Sequence, residues 1–180
     1  MNICVYGAAS PTIKKEFVEA GELLGREMAK RGHTLVFGGG ASGMMGAVVR
    51  GVYEKRGNSI AVVPSFFNVD GVLFENCTEQ IFTATMRERK QILEEKADAF
   101  IVTVGGIGTY DEFFETLTLL TLGQLGKKTL VILNTDGYYD KLKELMESGV
   151  KETIIGEEVL TDYMMFTDSV DEALDFIESK

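Results

Sequence analysis

The chain has 180 residues, of which 18 are Lys or Arg and 28 are Asp or Glu, so its formal net charge at pH 7 is −10. Its 45% hydrophobic and 26% charged residues are those of an ordinary globular domain and exclude disordered, collagen-like and coiled-coil classes. A protein this acidic repels nucleic acid and anionic lipid at long range. We therefore expect no nucleic acid or membrane partner, and any anionic ligand must be attracted locally.

Few residues of the chain could support metal, disulfide or histidine chemistry. Cys4 and Cys77 are too few for a disulfide framework and are expected to be reduced thiols. His33, the only histidine, stands where a turn leads into a strand, which favours a structural role, and we predict no metal site and no cofactor. The N-terminal residues lack the features of a signal peptide and no apolar run approaches ~18 residues, so we expect a cytoplasmic protein.

Short apolar runs alternate with helical patterns along the chain. Strands are predicted at 3–6, 34–37, 60–63, 99–104, 130–133 and 163–166, and a short segment near 80–82 follows a loop at about 65–76. Helices are predicted at 12–30, 44–55, 85–96, 110–122, 138–146 and 169–177, the last with Ser169 and Glu172 as a capping box. The alternation predicts one α/β domain over residues 1–180, with a parallel sheet covered by helices on both faces. Ligands of such sheets bind at the carboxyl ends of the strands, so the strand-to-helix turns matter most.

The first glycine-rich turn, 38–46, reads GGGASGMMG, follows a strand and opens a helix. Backbone N–H groups at a helix N-terminus form an anion site when no Cβ obstructs them, as at Gly39, Gly40 and Gly43. Dinucleotide binding also needs an acidic residue at the end of the next strand, which here reads AVVP at 61–64. The turn therefore favours phosphate over NAD. The alternative is a tight turn that serves only helix packing.

The second glycine-rich turn, 105–112, reads GGIGTYDE and also joins a strand to a helix. Three of its first four residues are glycines, namely Gly105, Gly106 and Gly108. A structural alternative makes Thr109 the N-cap and Glu112 its partner in a capping box, but this does not account for the glycines. Two such turns on neighbouring strand ends favour a single phosphorylated, nucleotide-like ligand.

The helix predicted at 85–96 carries basic residues beside its apolar stripe. Met86 and Leu93 lie on the stripe, and Arg89 and Lys90 flank it. A cation on the core-facing side of a helix usually meets an anion. The alternative is that both basic side chains only extend past the core to reach water.

Three motifs, in this order and in these strand and helix contexts, resemble the LOG family of cytokinin riboside 5′-monophosphate phosphoribohydrolases, often labelled lysine decarboxylases. The motifs are GGGASGMMG at 38–46, MRERK at 86–90 and GGIGTYDE at 105–112, and the resemblance extends from residue 3 to about residue 155. It implies a Rossmann-like fold, a homodimer or larger assembly, and hydrolysis of the N-glycosidic bond of a nucleoside 5′-monophosphate to the free base and ribose 5-phosphate. The chain departs from the family pattern at Val104, where the family has proline, and at Met44, where it has leucine.

The same resemblance assigns roles to individual residues. It makes Arg89 and Glu112 catalytic, and it implies that the glycine turns and Thr109 take the phosphate. The substrate-binding positions are then Gly39, Gly40, Gly43, Met86, Lys90, Gly105, Gly106, Gly108 and Thr109. The sequence leaves open whether Arg89 pairs with Glu112 or donates to the base or the phosphate.

Other functions stay open at this point. A non-catalytic nucleotide or cofactor binder, like the molybdenum cofactor carriers that LOG proteins resemble, would not need both Arg89 and Glu112. The hypothesis of an NAD-dependent oxidoreductase is weakened because the chain lacks the acidic residue that would bind the ribose of NAD. Nothing in the sequence favours the pyridoxal phosphate site of a lysine decarboxylase. The resemblance implies that the substrate is AMP or an N6-prenylated relative, a cytokinin riboside 5′-monophosphate, and leaves the choice of base open. The apolar loop 65–76 is a candidate cover for the base.

The helix predicted at 110–122 is apolar on every side, and no charged residue lies between Glu115 and Lys127. One face can pack on the sheet, and the other needs a partner. We expect a homodimer across this helix, and the alternative is a large intramolecular cover.

Overall fold

The structure is a computed structural model that describes residues 1–180. Its strands are β1 (Asn2–Tyr6), β2 (Thr34–Phe37), β3 (Ser59–Pro64), β4 (Glu79–Thr83), β5 (Ala99–Val102), β6 (Thr129–Leu133) and β7 (Met164–Thr167). Its helices are α1 (Lys15–Lys30), α2 (Gly43–Glu54), α3 (Met86–Lys96), α4 (Ile107–Thr121), α5 (Asp140–Lys151) and α6 (Val170–Glu178). Short helical turns add Ser65–Phe67, Thr135–Gly137 and Val159–Tyr163. The predicted α/β alternation is confirmed.

The seven strands form one sheet in the order β4-β3-β2-β1-β5-β6-β7, and every neighbouring pair is parallel. Successive strand residues face opposite sides of a sheet, and here both sides are apolar. Ile3 and Val5 pack in a core with α1, α2 and α6, whereas Cys4 and Tyr6 pack in a second core with α3, α4 and α5. The Rossmann-like sheet covered by helices on both faces is therefore confirmed.

The sheet has one point at which the direction of strand addition reverses. The chain runs outward from β1 to β4, then returns to place β5 on the other side of β1. The turns that follow β2 and β5 are consequently separated by β1, and the expectation that they end neighbouring strands is wrong. The turn after β1 lies between them. Clefts form at such reversals because the flanking connections leave in opposite directions.

The helix that carries the second glycine turn begins earlier than predicted. Gly106, in extended conformation, is the N-cap, and α4 starts at Ile107 rather than at residue 110. Thr109 and Glu112 therefore both lie inside the helix, and the capping box between them is wrong. Since no cap employs Glu112, its carboxylate is free to pair with another element.

The predicted capping box of the last helix is half right. The Glu172 N–H donates to Oγ of Ser169 at 3.3 Å, as predicted. The Glu172 carboxylate, however, accepts from the Thr167 hydroxyl at 2.6 Å, and Oγ1 of Thr167 accepts from the Ser169 N–H at 3.1 Å. The Glu172 carboxylate therefore reaches the Ser169 N–H only indirectly, through the Thr167 hydroxyl, because β7 ends beside the first turn of α6.

The remaining expectations concern isolated residues and one helix face. Cys4 and Cys77 are free thiols, and His33 is buried and donates from Nε2 to Oε1 of Glu178 at 2.7 Å, in keeping with a structural role. The outer face of α4, including Phe114, is exposed, so the intramolecular cover for this face is wrong. None of the helices combines the length and the apolar character needed to cross a membrane.

Candidate functional site

A cleft of about 620 Å³ opens at the carboxyl edge of the sheet, around the end of β1. It is lined by the turns that follow β1, β2 and β5, by the loop 65–76 and by the start of α3. Its volume suits a small-molecule ligand such as a nucleotide. The three motifs singled out in the sequence thus meet in one cavity.

Arg89 is fixed in the wall of this cleft by three features of its surroundings. Its Nε donates to the carbonyl oxygen of Val62 at 3.2 Å, and its Nη1 donates to Oε1 of Glu112 at 2.6 Å. A Cβ at Gly38 would overlap Nη2, so the glycine makes room for the guanidinium. Arg89 is only 7% exposed, which excludes the alternative of a side chain reaching out to water. Of the roles left open for Arg89, the structure shows the pairing with Glu112.

Glu112 lines the cleft from the second turn of α4 and is 8% exposed. Burial raises the pKa of Glu112, and the charge and hydrogen bond of Arg89 oppose that rise without cancelling it. The pair is charge-compensated, which is the condition for keeping two ionised groups out of water. A buried carboxylate with a raised pKa is a stronger base than an ordinary glutamate.

The second glycine turn offers its backbone to the cleft. The N–H groups of the first α4 residues have no acceptor in the protein, as is usual at a helix N-terminus. Gly106 and Gly108 line the cleft, and a Cβ at either would meet nothing within 4 Å. Thr109 also lines it, and Gly105 lies behind, where a Cβ would overlap the Thr109 side chain. The turn therefore combines open donors with the positive end of a helix dipole.

The first glycine turn contributes less of its backbone to the cleft. Gly40 is part of the lining, whereas Gly39 and Gly43 are not. Gly43 has φ +63° and lies against the carbonyl of Ala8, where no side chain fits. The Met45 N–H donates to that same carbonyl at 3.3 Å. This turn mainly docks α2 against the turn after β1.

The two remaining predicted binding residues are separated by the structure. Met86 lines the cleft at the start of α3. Lys90, one residue after Arg89, lies outside the lining, donates to Oδ2 of Asp111 at 2.9 Å and forms an ion pair with Glu115. Its place between α3 and α4 suggests support for the Arg89–Glu112 pair rather than contact with a ligand.

Sequence reasoning missed the turn after β1. Residues 7–11 read GAASP and form part of the cleft, although they match no dinucleotide fingerprint. A Cβ at Gly7 would overlap Oγ1 of Thr103, so β1 and the segment after β5 approach closely here. The sequence signal that could have identified this part of the cleft is the run of small residues directly after β1, the central strand of the sheet.

The loop 65–76 covers one side of the cleft with apolar side chains, including Phe67 and Leu73. It is joined to the first glycine turn by an isolated antiparallel bridge between Gly40 and Leu73. The Ala41 N–H donates to the Val72 carbonyl at 3.0 Å, and the Phe74 N–H donates to the Gly39 carbonyl at 2.9 Å. Loop and turn therefore form one backbone unit.

Comparison with solved structures supports the fold. The molybdenum cofactor carrier protein from Chlamydomonas reinhardtii superposes with a TM-score of 0.71 at 22% identity, over 99% of this chain and 96% of that one. A likeness at this level of identity shows the fold and not the activity.

Comparison with curated sequences identifies the family. A family model described as possible lysine decarboxylase matches residues 45–177. A cytokinin riboside 5′-monophosphate phosphoribohydrolase from Mycobacterium tuberculosis is 37% identical over 96% of this chain and 90% of its own length. The rice enzyme LOG of the same name (Oryza sativa subsp. japonica) is 36% identical over 87% of this chain, which spans only 64% of the rice protein. The chain with the Arg89–Glu112 cleft therefore belongs to the LOG family.

Proposed function

We propose that this chain hydrolyses the N-glycosidic bond of a nucleoside 5′-monophosphate and releases the free base and ribose 5-phosphate. The observation that carries the proposal is the buried Arg89–Glu112 pair in the same cleft as the open N–H groups of the second glycine turn. One part of that cleft suits a phosphate, and the other suits a reaction at a sugar. The relatives named as phosphoribohydrolases support the same activity.

The geometry of α4 relates the two parts of the cleft. Gly108 and Glu112 are four residues apart on one helix, so they lie on the same face with a separation of about 6 Å along the axis. A phosphate held at the N-terminus of α4 would place the attached ribose further along this face, beside Glu112. The positive end of the helix favours the phosphate and makes up locally for the acidic net charge.

The chemistry at the ribose follows from the charge that develops. As the bond from C1′ to the base nitrogen breaks, its electron pair goes to the base and the sugar becomes positive. The Glu112 carboxylate stabilises that charge and takes a proton from the water whose oxygen bonds to C1′. The proton then passes to the departing base, so that atoms and charge balance. Arg89 orients Glu112 through their 2.6 Å hydrogen bond and keeps it ionised when the cleft is dry.

The lining of the cleft bears on the choice of base. The apolar part of its lining is formed by Met45, Phe67, Val72, Leu73 and Met86. Such a wall accommodates the faces of an adenine and, equally, an apolar N6 substituent. We propose adenine or N6-prenylated adenine as the base, with AMP and its isopentenyl derivative as the two substrates to compare.

We also propose a homodimer that buries the outer face of α4. Phe114 on this helix and Leu122 at its C-cap are exposed, and Ile107 at its start is exposed beside the cleft. Covering them removes apolar surface from water at roughly 25 cal/mol per Å². A stable monomer in light scattering at micromolar concentration would refute this part.

The fold is compatible with the alternative of a non-catalytic cofactor carrier, but the Arg89–Glu112 pair in the cleft does not favour it. A carrier needs the open N–H groups but has no use for a buried carboxylate of raised pKa paired with an arginine. The carrier hypothesis also predicts that a bound nucleotide is recovered intact. Product analysis by chromatography separates the two functions directly.

The test is release of free base from AMP and from its isopentenyl derivative by wild type, Glu112→Gln and a matched control, Glu115→Gln. Glu115 lies one turn further along α4, outside the cleft lining. We expect Glu112→Gln to lower base release by at least ~100-fold while binding of ribose 5-phosphate survives, because only the proton acceptor is lost. Glu115→Gln should stay within a few-fold of wild type. Normal turnover by Glu112→Gln would overturn the assignment.

A further inference from the structure

The backbone of the second glycine turn is held from behind at three consecutive carbonyl groups. These are the carbonyls of Thr103, Val104 and Gly105, and each accepts a hydrogen bond from a different donor. The donors are, in that order, the Tyr139 hydroxyl at 2.7 Å, the Ala8 N–H at 3.0 Å and the Tyr138 hydroxyl at 2.7 Å. Two of the three donors are thus consecutive tyrosine side chains that precede α5.

The third bond of this series concerns the cleft directly. The carbonyl of Gly105 and the N–H of Gly106 belong to one planar trans peptide group, in which they point in opposite directions. Tyr138 fixes the carbonyl end of this plane at Gly105. The Gly106 N–H at the other end has no acceptor in the protein, and Gly106 lines the cleft. Fixing the carbonyl therefore fixes the direction of a cleft donor and strengthens it by polarising the peptide.

The two tyrosines differ in why they need a hydrogen bond. Tyr139 is 1% exposed, so its hydroxyl requires a protein partner wherever it lies. Tyr138 is 39% exposed, so water could serve its hydroxyl, and burial does not explain the bond to Gly105. Tyr110 contacts the Tyr138 hydroxyl at 3.4 Å and must be the donor, since the Tyr138 proton goes to Gly105. The neighbouring Tyr110 phenol and partial burial raise the pKa of Tyr138 to about 12, so its hydroxyl keeps its proton at neutral pH.

The turn before α5 is shaped to present Tyr138. Asp136 adopts φ +56° and Gly137 φ +65°, and a left-handed non-glycine residue carries a conformational cost. The Asn134 side chain closes the turn by accepting from the Tyr139 N–H at 2.6 Å. The prediction that α5 starts at residue 138 is wrong for this reason: the helix starts at Asp140, after the turn has placed both tyrosines.

We propose that Tyr138 is a positioning residue for phosphate recognition: its hydroxyl orients the Gly105–Gly106 peptide so that the Gly106 N–H points at the phosphate of the substrate. The inference rests on the proposed function, since it presupposes a phosphate ester at the second glycine turn. Tyr138 is absent from the cleft lining and acts through the peptide alone.

The experiment compares wild type, Tyr138→Phe and a control, Tyr53→Phe, with ribose 5-phosphate and free adenine as separate probes in calorimetric titrations. Tyr53 is an exposed tyrosine on α2 whose hydroxyl has no partner in the protein. We expect Tyr138→Phe to weaken ribose 5-phosphate binding by about 5- to 10-fold, the value of one hydrogen bond that aims a donor at a charge. Adenine binding should stay within 2-fold of wild type, KM for AMP should rise more than kcat falls, and Tyr53→Phe should change nothing.

Each other outcome has a definite meaning. If wild type binds ribose 5-phosphate and Tyr138→Phe binds it equally well, the positioning role is refuted and the proposed function stands. If Tyr138→Phe weakens adenine and ribose 5-phosphate to the same extent, Tyr138 is a general structural residue and the inference is also refuted. If wild type binds no ribose 5-phosphate, the proposed function fails, and the inference fails with it.

Discussion

The Arg89 Nη1 donates to Oε1 of Glu112 at 2.6 Å, and both side chains are more than nine-tenths buried. Each residue lies on a different helix, so the pair joins α3 to α4 across the cleft. A buried ion pair contributes little compared with an apolar pair, yet removing one partner leaves an uncompensated charge. Stability and activity therefore respond differently to substitutions at these two positions.

Replacing Arg89 by Met is expected to cost about 3–5 kcal/mol in the free energy of unfolding at neutral pH, because Glu112 is left buried and unpaired. The double variant Arg89→Met with Glu112→Gln should recover more than half of that loss, since no unpaired charge remains. Neither variant should release base. Urea unfolding together with the base-release assay measures both effects.

The matched control is Lys90→Met, which removes the neighbouring cation of α3. Lys90 lies outside the cleft lining and pairs with Asp111 and Glu115, and both acidic partners reach solvent. Its loss should cost about 1 kcal/mol or less. A loss as large as that of Arg89→Met would contradict the distinction drawn between the two cations.

Gly38→Ala is expected to abolish most activity by displacing Arg89. The added Cβ would overlap Nη2 of Arg89, so the guanidinium must move away from Glu112. We expect at least a ~10-fold fall in kcat and a stability loss of about 1–3 kcal/mol, which is typical of overpacking. In the Arg89→Met background the same substitution should cost little, and a double-mutant cycle measures the coupling. Additive effects would show that Gly38 acts independently of Arg89.

Gly108→Ala should have opposite effects on stability and on binding. Gly108 lies in the first turn of α4, and a Cβ there would meet nothing within 4 Å. Alanine is the better helix former, so the free energy of unfolding should rise by up to about 1 kcal/mol. The methyl group would face the cleft, and ribose 5-phosphate binding should weaken several-fold. A thermal melt tests the expected gain in stability, and a titration tests the expected loss of ribose 5-phosphate binding. Unchanged binding would place the phosphate elsewhere.

Glu94 is expected to make the stability depend on pH. It is 5% exposed, and burial together with the nearby charge of Glu115 raises its pKa from 4.5 to about 7. Between these two values the folded chain keeps a proton that the unfolded chain releases. This stabilisation is complete below pH 4.5 and is lost as the pH rises to about 7.

The variant Glu94→Gln removes this titration and can still accept the hydrogen bond of Thr116. Its free energy of unfolding relative to wild type should increase between pH 4.5 and pH 7 and level off above, by roughly 1–3 kcal/mol in total. Denaturant unfolding at several pH values measures the difference. Glu95→Gln, at an exposed neighbour, is the control and should show no such trend.

The strand and helix pattern predicted the fold because the determinants are local. The strands inside the sheet are short apolar runs that are largely buried on both faces, and such a run can be recognised without reference to the rest of the chain; only the edge strand β4 lacks this pattern. The order of the strands could not be predicted in this way. The sequence contains no signal that β5 returns beside β1, so the two glycine turns were expected on neighbouring strands when β1 separates them.

The parts of the site in which glycines and charged residues occur together could be predicted from the sequence. The parts that are formed by contacts between remote segments could not. The position of Arg89 beside a core stripe indicates a buried cation, whereas the role of Glu112 came from the family resemblance alone. Lys90 looked equivalent to Arg89, and only the geometry of α3 against α4 separates them. The contacts of Tyr138 and of the turn 7–11 come from segments remote in sequence, which no periodicity reveals.

The bridge between Gly40 and Leu73 has a thermodynamic consequence. It makes the loop 65–76 and the first glycine turn one cooperative unit, so a ligand that orders either part lowers the entropic cost of ordering the other. By reciprocity, a base held by the loop and any other part of the substrate that contacts Gly40 in the cleft strengthen each other's binding. Selectivity among bases then depends on the rest of the substrate being present: a free base meets a looser apolar wall and is discriminated less sharply.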